Sequence, residues 1–135
     1  MTIDRVAKEV ELLTKYEAPK VNILRRLRDG MRVLKAAGDR EGMKKEMDVF
    51  LNILGRIDAV IPGEMARFND NKKIIARLEN QRMIIRELTR YAAFYKNQVD
   101  IVILNNTYNK MSEAITSFIT LSESMINIKS FKNVA

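Results

Sequence analysis

The side chains in this sequence whose type and spacing best suit a chemical task are arginines and lysines repeated at helical intervals. One set lies in the first third of the chain and consists of Arg25, Arg26, Arg28, Arg32 and Lys35. A second set lies beyond the midpoint and consists of Lys73, Arg77, Arg82, Arg86 and Arg90. Because residues three or four apart share one face of an α-helix, each set predicts a ridge of positive charge.

Phosphate is the group that such a ridge would bind. Several cations along one line release counterions from DNA or RNA, and the planar arginine side chain pairs with phosphate through two parallel hydrogen bonds. We therefore take all ten residues as candidate nucleic-acid contacts. A solvated helix face is the alternative interpretation of the same pattern, because arginine stems also cover apolar surface.

Most of the side chains that enzymes use are missing. The sequence has no histidine and no cysteine, so the commonest general base, the thiol nucleophile and the commonest metal ligands are absent. Its five glycines form no phosphate-binding loop. Glu79, Glu87 and Asp100 fall outside the apolar stripes described below and are expected to be solvated. We expect a protein that is not an enzyme and has no catalytic residue, metal or cofactor.

Composition and charge restrict the class of protein. The 135 residues suffice for one domain, predicted to span 1–135, and 47% hydrophobic with 30% charged residues is typical of a helix-rich globular protein. The net charge of +7 favours an acidic partner: nucleic acid, an anionic membrane surface or an acidic protein. No apolar run is long enough to predict a membrane span, and no secretion signal is recognised, so an intracellular or virion location is expected.

A heptad seam in the second half of the chain predicts the central element of the fold. The seam consists of Ile74, Leu78, Gln81, Ile85, Leu88, Ala92, Tyr95, Val99 and Val102. It predicts one long central helix over about residues 64–104, roughly 60 Å in length at ~1.5 Å per residue. An interruption at residues 69–71, with a restart near Lys72, is left open.

The remaining segments predict shorter helices around this one. Residues 2–37 carry two apolar stripes on one heptad phase, with Glu17 and Lys20 between them, so one helix kinked at Pro19 and two separate helices are both open. A helix over 39–61 follows the Gly38 stop, and Pro62 is expected to end it. The last helix is predicted over 107–128, with a basic tail at 129–135. Together these segments predict an all-α antiparallel bundle of four to five helices.

The unequal helix lengths predict a surface for self-association. A long first helix beside a shorter second one would leave its amino-terminal half projecting from the bundle. The apolar stripe on that half consists of Ile3, Val6, Val10 and Leu13. An uncovered stripe of this kind predicts a dimer or larger oligomer.

In composition and layout the chain resembles small, basic, all-helical structural proteins of viruses, including viruses that infect archaea. The resemblance rests on helices free of Cys and His, on the basic ridge at residues 25–35 and on the apolar ends. It implies a virion protein and carries over no residue roles. The expected function is therefore a structural protein that self-associates and binds nucleic acid without sequence preference. The alternatives are a helical adaptor or chaperone for an acidic protein partner and a helical hairpin at a membrane surface.

Overall fold

A computed structural model describes the backbone of residues 3–126 and the side chains of residues 8–126. Within these residues the chain forms four helices: α1 (Ile3–Ala36), α2 (Arg40–Arg67), α3 (Lys72–Asn97) and α4 (Ile101–Ile126). No strand occurs within this part of the chain. The predicted all-α bundle is confirmed, with four helices.

Three short turns connect the helices, and each turn carries a residue that starts the next helix. Gly38 ends α1 with a φ of 67°, a left-handed conformation that glycine adopts without strain. Asp39 accepts a hydrogen bond from the Gly42 amide at 2.8 Å, and Asn71 accepts one from the Ile74 amide at 3.2 Å. Asp100 caps α4 in the same way. Because the turns are short, consecutive helices run antiparallel.

The helices form a four-membered ring around one apolar core. α1 packs against α2 and α4, and α3 packs against the same two helices, so α1 and α3 lie on one diagonal. The predicted stripes supply most of the core. Its buried members include Leu24, Leu27, Met31, Met43, Met47, Phe50, Leu54, Ile57, Ile61, Ile74, Leu78, Ile85, Leu88, Ala92, Met111, Ile115, Phe118 and Met125.

The predicted central helix over 64–104 is wrong, because the chain turns twice within it. One turn, at residues 68–71, is the interruption left open above, and the other, at residues 98–100, was not predicted. The seam continues across the second turn by coincidence of spacing, and its last two members, Val99 and Val102, are 77% and 64% exposed. Asp100 caps the start of a new helix, α4, at this point, so no single helix crosses the turn.

Two other predicted boundaries are also wrong. α2 continues through Pro62 to Arg67, because Glu64 and Phe68 extend its buried face beyond the exposed proline. α4 begins at Ile101 rather than at 107, and the Thr107 hydroxyl donates to the Ile103 carbonyl oxygen inside the helix at 2.8 Å. Residues 127 and 128 and the predicted basic tail lie outside the described residues.

The amino-terminal half of α1 packs on the bundle instead of projecting from it. α1 is one helix across Pro19. Leu13 is fully buried, and the Asn71 side-chain nitrogen donates to Glu9 at 3.1 Å. The prediction of a projecting half failed because α2 is longer than expected, so that it covers the region that a helix ending at 61 would have left open.

Candidate nucleic-acid interface and buried polar cluster

The predicted ridge on α1 borders α4. The Arg25 guanidinium lies 3.1 Å from a carboxylate oxygen of Glu123, and Arg28 donates to the Thr116 hydroxyl at 3.1 Å. The Lys35 ammonium lies 4.1 Å from the centre of the Tyr108 ring. All three partners belong to α4, so these cations follow the boundary between α1 and α4. Arg26 is exposed beside them.

The protein's own acids neutralise part of this ridge. Arg25 pairs with Glu123, and Arg32 pairs with Asp29 at 3.4 Å; all four side chains are substantially exposed. Such exposed pairs contribute about 0–1 kcal/mol, so a phosphate can replace the carboxylate at small cost. Within the described residues, Arg28 and Lys35 have no carboxylate oxygen within 4.0 Å. Positive charge therefore remains available along the ridge.

The predicted ridge on α3 divides between two sides of that helix. Arg77 donates to the Ser124 carbonyl oxygen of α4 at 3.4 Å. Arg82 instead lies 3.4 Å from Asp58 of α2, and Arg86 lines a groove on the same side. Arg90 is exposed between the two sides, and Lys73 is exposed one turn before Arg77. The ten candidates do not share one surface.

The outer surface of α4 lies between the two cationic helices. α1 carries nine basic and five acidic residues, and α3 carries seven basic and two acidic residues. The charged residues of α4 are limited to Lys110, Glu113 and Glu123. We define the α4 face as the exposed polar and charged residues Asn105, Asn106, Asn109, Lys110, Glu113, Thr116, Ser117, Thr120 and Glu123 with the bordering cations Arg25, Arg28, Arg32, Lys35 and Arg77. Hydroxyl and amide groups contact phosphates without reading bases. The opposite helix, α2, carries five acidic residues and suits phosphate less well.

The predicted self-association stripe is not an exposed surface where the structure describes it. Leu13 is in the core and Val10 is half-buried, while the side chains of Ile3 and Val6 lie outside the described residues. Exposed apolar side chains occur at the α3–α4 turn instead. We define the turn patch as Phe94, Val99, Ile101, Val102 and Ile103.

A cluster of polar side chains lies at the centre of the bundle, with at least one member from every helix. Its members are Glu17 and Lys20 of α1, Glu64 of α2, Gln81 of α3 and Ser122 of α4, all buried. The Lys20 ammonium donates to Glu17 at 2.7 Å, to Glu64 at 2.8 Å and to Gln81 at 3.0 Å. The other oxygen of Glu17 accepts hydrogen bonds from the Gln81 amide nitrogen and the Ser122 hydroxyl.

The cluster changes the acidity of Glu64. Burial raises the pKa of Glu64 from 4.5 to about 7, against the opposing effect of the Lys20 charge. The charge of Glu17 and a hydrogen bond to Glu17 raise the pKa further. This carboxyl therefore changes its protonation state near neutral pH.

The sequence contained a signal for the cluster that our prediction did not use. Glu17 and Lys20 fall on the heptad phase of α1, and Gln81 is the polar member of the α3 seam. Glu64 continues the α2 stripe three residues after Ile61. Polar residues at seam positions must find partners in the core. Ser122 likewise lies four residues after Phe118 and three residues before Met125, on the buried stripe of α4.

Comparison of the chain with protein-family models, with curated proteins and with solved structures finds no significant match. None of the four described helices has a stretch long and apolar enough to cross a bilayer. Within residues 3–126 no group of three or more acidic side chains is placed to hold a metal ion. The function has to be inferred from the side chains themselves.

Proposed function

We propose that this protein is a non-enzymatic structural protein that binds nucleic-acid backbones through the α4 face and self-associates. The observation that supports the proposal is the position of α4, a helix with few charges between two strongly cationic helices. A virion protein of the kind the sequence resembles is one setting for this function.

Electrostatics accounts for the binding. Residues 25–35 extend over roughly 15 Å of helix at ~1.5 Å per residue, so their cations meet several phosphates at once. Hydroxyl and amide groups between the cations donate hydrogen bonds to the phosphate oxygens of the nucleic acid. Residue types that read base edges from a groove are not organised here as a recognition helix, so we expect no sequence preference.

Binding to duplex DNA of random sequence tests the proposal. Fluorescence anisotropy is measured in about 50 mM and about 200 mM salt. About four phosphate contacts predict that affinity falls roughly 100-fold between the two concentrations. The absence of binding at low salt would overturn the proposal.

A matched pair of variants locates the surface. Arg28→Glu with Arg32→Glu reverses two charges on the α4 face and should abolish binding at the higher salt. Lys45→Glu with Arg56→Glu reverses two exposed charges on α2, the helix diagonal to α4, and changes the net charge equally. If both pairs weaken binding to the same extent, net charge alone is responsible and the α4 face is the wrong surface.

The turn patch is the surface that we propose for self-association, with a second copy of the chain as its partner. Five large apolar side chains exposed together at one end of a bundle are typical of an interface. Val99→Ser with Val102→Ser should lower the mass measured by light scattering at high protein concentration. Val33→Ser with Val49→Ser removes two exposed valines elsewhere and should leave the mass unchanged.

A second candidate function is an adaptor that binds an acidic amphipathic helix. A groove between α3 and α4 favours it, because Arg90 and Lys110 flank the apolar side chains of Phe94 and Ile103 there. Poly-glutamate in place of DNA separates the two functions. Tighter binding to poly-glutamate than to duplex DNA at equal salt would favour the adaptor.

A further inference from the structure

The polar cluster contains two carboxylates and one ammonium, and its hydrogen bonds treat the two carboxylates differently. All three hydrogens of Lys20 are used, by Glu17, Glu64 and Gln81. Glu17 accepts from Lys20, Gln81 and Ser122, whereas Glu64 accepts from Lys20 alone. The second oxygen of Glu64 lies 2.7 Å from the same Lys20 nitrogen, and within the described chain it has no other polar partner.

This asymmetry indicates where a proton resides. A negative charge on Glu17 is compensated by three donors, while a negative charge on Glu64 is an excess charge in a site only 1% exposed to solvent. Both carboxylates contact the one ammonium of Lys20, so the fully ionised cluster carries one excess negative charge, which a single bound proton removes.

The charge around Glu64 comes from one helix. α1 contributes Glu17 and Lys20, α3 contributes the neutral amide of Gln81, and α4 contributes the neutral hydroxyl of Ser122. On α2 itself the nearest charged residues, Asp58 and Arg67, lie towards the surface, and Asp58 is paired with Arg82. Within the described residues, no second cation lies within 4.0 Å of the extra carboxylate.

We propose that the polar cluster is a proton-binding switch, in which one proton bound at the Glu64 and Glu17 carboxylates keeps α2 closed on α1 and its loss loosens that contact. The proposal concerns the interior of the bundle and is independent of nucleic-acid binding. Loss of the proton leaves two carboxylates against one ammonium at a site where Glu17 and Glu64 are almost fully buried. The α1–α2 interface is the least extensive of the four in the ring, so it is where the bundle separates first.

Carbon-13 NMR of the wild-type protein tests whether Glu64 binds the proton. The side-chain carboxyl signal of Glu64 should titrate near neutral pH, well above the ordinary pKa of a glutamate side chain. A Glu64 signal that titrates in the ordinary range would overturn the proposal. This measurement needs no variant, so it decides the question even if substitutions in the cluster fail to fold.

Amide hydrogen exchange tests whether loss of the proton loosens α2 from α1. After correction for the intrinsic pH dependence of exchange, protection of residues 57–67 should fall by up to about tenfold between about pH 6 and about pH 8, the limit for one proton with a pKa of about 7. Glu64→Gln, which cannot ionise, should lose that change, and Glu79→Gln should keep it. Unchanged protection of the wild type across this range would show a proton site without a switch, and the proposal would be wrong.

Discussion

The ammonium nitrogen of Lys20 on α1 lies 3.0 Å from the amide oxygen of Gln81 on α3, and this contact joins two helices on one diagonal through the centre of the bundle. Apolar stripes alone are compatible with several relative shifts of the helices, because leucine, isoleucine and methionine pack in many registers. A buried polar cluster forms its hydrogen bonds when its members lie at the same level along the axis of the bundle. We infer that the cluster selects one register of the four helices.

Lys20→Met should destabilise the protein strongly. The substitution keeps the apolar stem but leaves Glu17 and Glu64 as uncompensated buried carboxylates, a change that costs about 3–5 kcal/mol in comparable sites. The loss should be larger at about pH 8 than at about pH 5, since acid supplies protons to the unpaired carboxyls. Denaturant unfolding followed by circular dichroism measures it.

Lys15→Met is the matched control, because Lys15 is exposed on the same helix. Its unfolding free energy should stay within about 0.5 kcal/mol of the wild-type value. Equal effects of the two substitutions would mean that the buried ion pairs contribute little.

Glu64 should contribute to the stability of the wild type in a way that weakens as pH rises, because burial outweighs its ion pair with Lys20. The folded-state pKa of Glu64, about 7, lies above the ordinary value of 4.5, so the folded protein binds more protons than the unfolded chain between these values. The contribution of Glu64 to the unfolding free energy is therefore greatest below about pH 4.5 and is lost as pH rises towards 7. The change amounts to at most about 3 kcal/mol.

Unfolding free energies at a series of pH values give the slope directly. Glu64→Gln should remove the decline between pH 4.5 and about 7 and should be more stable than the wild type on the alkaline side. A wild-type curve that rises through this interval, with no difference in Glu64→Gln, would contradict the assignment.

The apolar stripes could be predicted from the sequence because side-chain spacing and burial are directly linked. On α2 the apolar residues spaced by three or four positions are all buried, namely Met43, Met47, Phe50, Leu54, Ile57 and Ile61. Every α3 seam position up to Ala92 is buried as well. The ends of the helices were harder to predict from the sequence, since each end depends on the balance between local helix-breaking residues and packing against the other helices. Pro62 does not end α2 because packing of the residues after it outweighs one missing hydrogen bond.

The candidate sites were predictable in part. The basic residues on α1 could be found because their spacing places them on one face. The division of the α3 residues could not, because it depends on which neighbour each side of α3 faces: Arg77 reaches α4 and Arg82 reaches α2. The polar cluster combines residues from four helices, so its geometry required the fold, although all five of its members occupy positions on the helical stripes.

Two glycines of α2 should respond oppositely to alanine. A methyl group at Gly55 meets nothing within 4 Å, so Gly55→Ala should raise the unfolding free energy by about 0.5–1 kcal/mol. A methyl group at Gly42 would overlap the Asp39 carboxylate and lie 2.9 Å from Leu34, displacing the side chain that caps the helix. Loss of a cap costs ~1 kcal/mol and offsets the gain from alanine.

Thermal and denaturant unfolding of the two variants measure this difference. Gly42→Ala should be no more stable than the wild type, and Gly55→Ala should be more stable than both. Equal stabilisation by the two substitutions would show that Asp39 does not cap α2 in solution.

The separation of the α3 arginines makes a final prediction about nucleic-acid binding. Arg28→Ala with Arg77→Ala removes one cation from each border of the α4 face, whereas Arg82→Ala with Arg86→Ala removes two cations that face α2. Each lost phosphate contact reduces the slope of log affinity against log salt by about 1. The first pair should therefore lower the slope by about 2 and the second should leave it nearly unchanged. Both pairs lose the same net charge, so a difference in slope reports contact rather than overall attraction. Equal slopes for the two variants would mean that the nucleic acid wraps α3 on both sides and that the α4 face is not the binding surface.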